Sequence, residues 1–182
     1  RGGDWNVFTL DLAGGAPVVS LTDGQGSLVA TVAGVAGAVS GTITINVPGG
    51  GASFSVNFAL AINQTSSAIE EQINVGDTVT QISLPAGPYF RIDATNATLT
   101  IAGQTLRGDF AFEQFTNIGN QKIVRVGAAN LTVGLGGAGA LVNVTDAAGF
   151  FLVTPDGIAG TLAAFIAVNV PGVSFSGGFS LA

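Results

Sequence analysis

Apolar and polar side chains alternate with a period of two along most of this chain. Ile43, Ile45 and Val47 alternate with Thr42, Thr44 and Asn46, and Phe54, Val56, Phe58, Leu60 and Ile62 alternate with Ser53, Ser55, Asn57, Ala59 and Ala61. Leu106, Phe110 and Phe112 interleave with Arg107, Asp109 and Glu113. Leu131, Val133 and Leu135 continue the pattern, as do Val173, Phe175, Phe179 and Leu181. Side chains of a strand point alternately to opposite faces, so the pattern predicts antiparallel strands with one apolar and one polar face. The expected fold is all-β, with long antiparallel strands in a meander or sandwich. A β-solenoid is the alternative, but its rungs would recur every roughly 20–30 residues, and no such shorter period is present. Only the segment QTSSAIEEQI has a helical look, and it is short and β-branched.

The interruptions carry turn chemistry. The tetrapeptide NVPG occurs twice and puts Pro48 or Pro171 second and Gly49 or Gly172 third in a turn, which suits type II. The segments DGQG (from Asp23) and DAAG (from Asp146) keep Asp first and Gly fourth, which suits type I turns. IAGQTL reads as a tight hairpin that places Leu99 opposite Leu106. Around Ala94–Asn96 the apolar positions change from even to odd numbers, which demands a bulge or another turn.

Superposing the two NVPG corners reveals an internal repeat with an offset of 123 residues (Pro48 to Pro171). From Val7/Asn130 to Gly49/Gly172 it runs through 43 ungapped pairs, of which 16 are identical. Beyond the corner the offset becomes 121, and Ser53, Phe54, Ser55, Phe58, Leu60 and Ala61 match Ser174, Phe175, Ser176, Phe179, Leu181 and Ala182. Residues 7–129 thus form one full unit, residues 130–182 the first part of a second, and residues 1–6 the end of a preceding unit or a linker. The strand carrying Phe175, Phe179 and Leu181 is where the second copy stops while the first runs on. It is the candidate assembly edge.

Composition narrows the chemistry. Charged residues make up 9% of the 182 residues, Lys and Arg number 5 against 11 Asp and Glu, and His, Cys and Met are absent. The net charge of −6 argues against nucleic acid, which needs clustered cations. No apolar run approaches the roughly 18–20 residues of a membrane helix, and one Trp with one Tyr makes no aromatic girdle of a membrane barrel. Without His or Cys a serine nucleophile would depend on Lys122 or a carboxylate, and no motif flanks any Ser. Asp93, Asp109 and Glu113 could in principle make a carboxylate pair, but they read as partners of Arg91 and Arg107 on a solvated face. Asp23 and Asp146 recur without the alternating ligands of a calcium loop. Thr42 and Thr44 become Phe165 and Ala167 in the second copy, so no threonine array is maintained. The expectation is a non-enzymatic chain with no cofactor and no metal. Four sequons, at Asn63, Asn96, Asn130 and Asn143, are candidate glycosylation sites if the protein is exported.

The phrases GTITINVPG…ASFSVNFALAIN, LPAGPYFRIDATNATLTIAGQTLRGDFAFEQ and IVRVGAANLTVGLGG resemble tandem β-rich repeats of very large bacterial surface or secreted, adhesin-like proteins. The resemblance implies an exported, mechanical or adhesive role and transfers no site residue. Together these features lead to the expectation of a structural subunit of an extracellular fibre, sheath or surface stalk, partnered by copies of itself through sheet continuation. The alternative is a glycan- or surface-binding module of a large adhesin, for which Trp5, Tyr89 and Phe90 are the only aromatic candidates.

Overall fold

A computed structural model describes residues 8–11, 17–46, 51–136 and 141–182. They form twelve strands: β1 (Phe8–Asp11), β2 (Pro17–Thr31), β3 (Gly34–Asn46), β4 (Ala52–Asn63), β5 (Ile69–Val75), β6 (Thr78–Leu84), β7 (Tyr89–Ile101), β8 (Gln104–Thr116), β9 (Lys122–Leu135), β10 (Val142–Thr154), β11 (Gly157–Val170) and β12 (Val173–Leu181). Ten of them make one open antiparallel sheet in the order β1-β2-β3-β4-β7-β8-β9-β10-β11-β12, and β5 and β6 pair as a separate hairpin. The chain is therefore a meander. It forms neither solenoid rungs nor two facing large sheets. The helical look of QTSSAIEEQI ends in a loop followed by β5, whose β-branched and polar alternation pairs it with β6.

Register places much of the sheet's large apolar surface on one face, although Val29, Phe115, Ile123, Phe150, Leu152 and Phe165 lie on the other. Ile43 lies opposite Leu21 and Val56, Phe54 opposite Ile45 and Leu99, and Phe112 opposite Ile92 and Val126. Phe151 then lies opposite Val126 and Gly160, and Phe179 opposite Ala164. The charged residues Arg91, Asp93, Asp109, Glu113 and Arg125 share the other face. Glycines on the apolar face receive side chains from the next strand. Leu28 lies over Gly37, and its repeat counterpart Phe151 lies over Gly160, so a Cβ at either glycine would overlap both that side chain and a backbone carbonyl.

The hairpin at IAGQTL forms as expected: Leu99 faces Leu106, and Ala102 and Gly103 both take positive φ, at 49° and 78°. That is the two-residue turn whose twist matches the strands. The parity change at Ala94–Asn96 is a bulge, with a register shift between Ala94 and Ala97 and Asn96 at φ 54°. DGQG and DAAG, expected as turns, are instead bulges within β2 and β10, where Asp23 and Asp146 take φ of 53° and 51°. Asp tolerates this left-handed conformation. The apolar positions pass from odd (Val19, Leu21) to even (Leu28, Ala30) across DGQG, the same parity change that marks the β7 bulge. At the second NVPG corner Pro171 and Gly172 join β11 to β12 with Gly172 at φ 84°, as a type II turn requires. Pro48 and Gly49 lie outside the described residues.

The sequence repeat is also a repeat of pairing. Val19↔Ile45, Leu21↔Ile43 and the shift between Thr22 and Gln25 recur at offset 123 as Val142↔Val168, Val144↔Ile166 and the shift between Thr145 and Ala148. Turn details recur with them: the Thr31 hydroxyl accepts from the Ala33 N–H at 3.1 Å and donates to the Gly34 carbonyl at 3.1 Å, and Thr154 does the same with Asp156 and Gly157 at 3.2 and 3.3 Å. Strand β1 corresponds to the second half of β9, so one unit adds six strands to the sheet. At the usual strand spacing that is about 29 Å of sheet.

Among the described residues a cluster of buried side chains forms where the β5–β6 hairpin folds onto the polar face. Ile82, Leu84 and Tyr89 close over Ala36, with Val29, Ala61, Ile69 and Phe115 around them. Asn63 ties this region together. Its Nδ2 donates to the carbonyls of Ser67 (2.8 Å) and Pro85 (2.7 Å), and its Oδ1 accepts from the Thr65 N–H (2.8 Å) and hydroxyl (2.7 Å). Elsewhere the sheet is one layer thick. Its 11574 Å² of accessible surface exceeds the roughly 8,000 Å² expected of a globular chain of this size.

Candidate functional site

Three features stand out: an unprotected strand at one edge of the sheet, an uncovered apolar face, and a polar face with a charge ladder.

The edge is β12. It runs nine residues, VSFSGGFSL, without a charge, a Pro or a bulge. It pairs with β11 from Val170↔Val173 to Leu162↔Leu181, and among the described residues no strand lies on its other side. Val173, Phe175 and Leu181 are each more than 60% exposed. Sheet proteins ordinarily blunt such a strand with Lys, Pro, a bulge or a covering element, because its unpaired N–H and C=O groups template another strand. Phe175, Phe179 and Leu181 thus lie together along one edge, all on the apolar face.

The apolar face continues inward from this edge. Between β7 and β11 it forms an open groove of about 430 Å³ lined by Ile92, Phe110, Phe112, Val126, Phe151 and Leu162 among others. The groove walls are almost entirely apolar.

On the opposite face Arg91 holds Asp93 through two hydrogen bonds, Nε to Oδ2 at 2.7 Å and Nη2 to Oδ1 at 2.8 Å. Glu113 receives Arg125 at 3.1 Å and lies 3.7 Å from Arg91. The hydrogen bonds to Asp93 raise the Arg91 pKa above its already high ordinary value. Arg125 also sits over the Phe115 ring, 4.4 Å from its centroid. The Tyr89 hydroxyl donates to Glu113 at 3.3 Å, and burial together with the Glu113 charge pushes its pKa up.

Asp109 does not join this ladder. Its Oδ1 accepts from the Asn96 N–H at 2.8 Å and its Oδ2 from the Asn130 Nδ2 at 2.6 Å, so it bridges the bulges of β7 and β9 across β8. The side-chain bond from Asn130 and the backbone bond from Asn96 hold its carboxyl below the usual range. Among the described residues Arg107 makes no ion pair, and Asp109 is braced by amides instead. No group of three or more Asp, Glu, His or Cys among the described residues could hold a metal ion.

The four sequons fall in unlike places. Asn63 is completely buried with its amide fully bonded, which leaves no room for a sugar on the folded chain. Asn96 and Asn130 are exposed at their bulges, the latter with its amide on Asp109. Asn143 lies on the polar side of β10 opposite Gly134 and Ala167. Tyr89 is buried under the hairpin and Phe90 packs edge-on to Phe112 with centroids 5.9 Å apart, so the two are on opposite faces and form no common aromatic cluster. Trp5 lies outside the described residues. The bracing of Asn63 and Asp109 was not predicted from sequence. The only trace either leaves is the polarity of Asn63 at the end of an alternating strand.

No helix among the described residues is long and apolar enough to cross a membrane. No family model matches the chain, and no curated protein or solved structure is similar to it.

Proposed function

We propose that this chain is a structural repeat unit of an extracellular fibre, sheath or surface stalk, whose sheet is continued at its edges by strands of a further unit. The observation that carries this reading is β12: a nine-residue, uncharged, bulge-free strand at the edge of the sheet whose counterpart in the first copy, β4, is an interior strand. The residues that meet the next unit are those of β12, with Phe175, Phe179 and Leu181 extending the apolar face across the junction. The large apolar surface supports the same reading, since an assembled sheet buries it against other layers while an isolated one leaves it wet. The charge ladder serves the solvated side. Export to the cell surface follows from the resemblance in phrase to surface repeats and remains part of the proposal, as does glycan attachment at the exposed sequons.

The test is a pair of substitutions, Ser176→Glu with Ser180→Glu. Both serines lie on the polar side of β12, opposite Ala167 and Ala163, where a long side chain has room. Charges there imitate natural edge protection and leave the apolar face intact. Purified wild-type chain at high concentration is expected to grow into filaments under the electron microscope, and the double variant to stay in small particles of unchanged strand content. Wild-type particles that fail to grow at any concentration would sink the proposal.

A further inference from the structure

The repeat allows the partner of β12 to be specified. Strand β3 pairs with β4 through Val39↔Leu60 and Ile43↔Val56, and β11 pairs with β12 through Leu162↔Leu181 and Ile166↔Gly177, which is the same register at offsets of 123 and 121. The two edges presented by β4 and β12 are therefore equivalent. That of β4 is occupied by β7, through Phe54↔Leu99, Ser55↔Thr98, Phe58↔Ala94 and Leu60↔Ile92, with a register shift between Ser55 and Asn57.

We infer that the neighbour of β12 in the assembled sheet is a β7-type strand of the repeat, antiparallel, with Leu99 opposite Phe175, Thr98 opposite Ser176, Ala94 opposite Phe179 and Ile92 opposite Leu181. The chemistry fits on both faces. Leu99, Ala94 and Ile92 join Phe175, Phe179 and Leu181 on the apolar side, while Thr98, Thr95 and Asp93 join Ser176, Gly178 and Ser180 on the polar side. The bulge belongs to the incoming strand, through a left-handed residue at the place of Asn96. Opposite that bulge β12 carries Gly177 and Gly178 where β4 has Val56 and Asn57, so the two strands meet there through backbone and the incoming side chains alone. This rests on the sheet-continuation reading and adds to it the identity and register of the strand.

A dye-labelled peptide of residues 89–101 is titrated against the full chain, with a scrambled peptide of the same composition as control. Because the chain has no Cys, register is read by pairing Phe175→Cys in the chain with Leu99→Cys or Ile101→Cys in the peptide. Directly opposed Cα atoms in an antiparallel pair lie about 4.5–5.5 Å apart, within disulfide reach, and a two-residue slip takes them out of it. The expected result is saturable binding of one β7 peptide per chain, weakening of that binding in a Ser176→Glu/Ser180→Glu chain, whose second carboxylate would stand opposite Asp93, and cross-linking of Leu99→Cys on the order of tenfold faster than Ile101→Cys. Equal binding of the scrambled peptide, no binding, or faster capture of Ile101→Cys overturns the assignment. So does a Phe175→Cys chain that cross-links only to another Phe175→Cys chain, which would mean that two β12 edges pair with each other. If the β7 peptide fails while wild-type chains still grow into filaments, the register is wrong and the fibre reading stands. If both fail, the fibre reading falls as well.

Discussion

Substitution of Asn63 by Ala tests whether one buried amide holds the β5–β6 hairpin to the sheet. The Asn63 side chain is 0% exposed and makes four hydrogen bonds, two as donor and two as acceptor, which is the full capacity of an amide. In Asn63→Ala the Ser67 carbonyl keeps the Thr65 hydroxyl at 2.9 Å, but the Thr65 N–H and the Pro85 carbonyl lose the side-chain partner. A buried group left unpaired costs about 1–3 kcal/mol. The Thr65 N–H is such a group, whereas Pro85 is exposed and its carbonyl can turn to water. Stability should therefore fall by about 1–3 kcal/mol against the roughly 5–15 kcal/mol typical of a domain. Urea unfolding followed by circular dichroism measures the total. Amide hydrogen exchange shows where it falls, with loss of protection expected first in β6 and around Tyr89, since Ile82, Leu84 and Tyr89 rest on the segment that Asn63 braces. A stability change below about 0.5 kcal/mol, the range of an ordinary surface substitution, would refute the argument, as would unchanged exchange in the hairpin.

Three further outcomes follow from the geometry. Gly160→Ala should cost about 1–3 kcal/mol, because its Cβ overlaps Phe151 and the Phe150 carbonyl, while Gly127→Ala, with open space at its Cβ, should be neutral or slightly stabilising in the same urea assay. The Asp109 carboxyl has a depressed folded-state pKa, so its contribution to stability is complete above the ordinary carboxylate range and is lost as pH falls through the folded value. The urea midpoint should therefore fall less steeply between neutral pH and pH ~2 in Asp109→Asn than in wild type, and parallel curves would contradict this. Tyr89 is the only Tyr, so absorbance near 295 nm reports it alone; its midpoint should lie above the ordinary value of 10.0 and move down in Glu113→Gln. Because its folded pKa is raised, the stability it contributes is complete below the ordinary value and is lost as pH rises through the folded one.

Much of this architecture could be read from the alternation itself. Period two fixed which residues share a face, and the parity change at Ala94–Asn96 located a bulge to within two residues. At Asp23 and Asp146 the composition suggested turns, because Asp followed by Gly three residues later suits either a turn or a left-handed bulge residue. What decides between them is pairing on both flanks, which is a long-range fact. Alternation reports sidedness and not what covers the side, and the sheet is one layer thick over most of its apolar face. Likewise, Asn63, Thr65 and Pro85 are joined only once the hairpin returns, and nothing in their spacing announces it. Asp109 was expected to offset Arg107, but the strand directions bring Asn96 and Asn130 to it.

The central claim is that the sheet continues from one unit into the next. X-ray fibre diffraction, or cryo-electron microscopy, of material assembled from the purified chain tests it most directly. Strands stacked across unit junctions should give a meridional spacing of about 4.7–4.9 Å that runs without interruption along the long axis of the filament. Filaments without that meridional spacing, or particles that remain at one or two copies at every concentration, would contradict it.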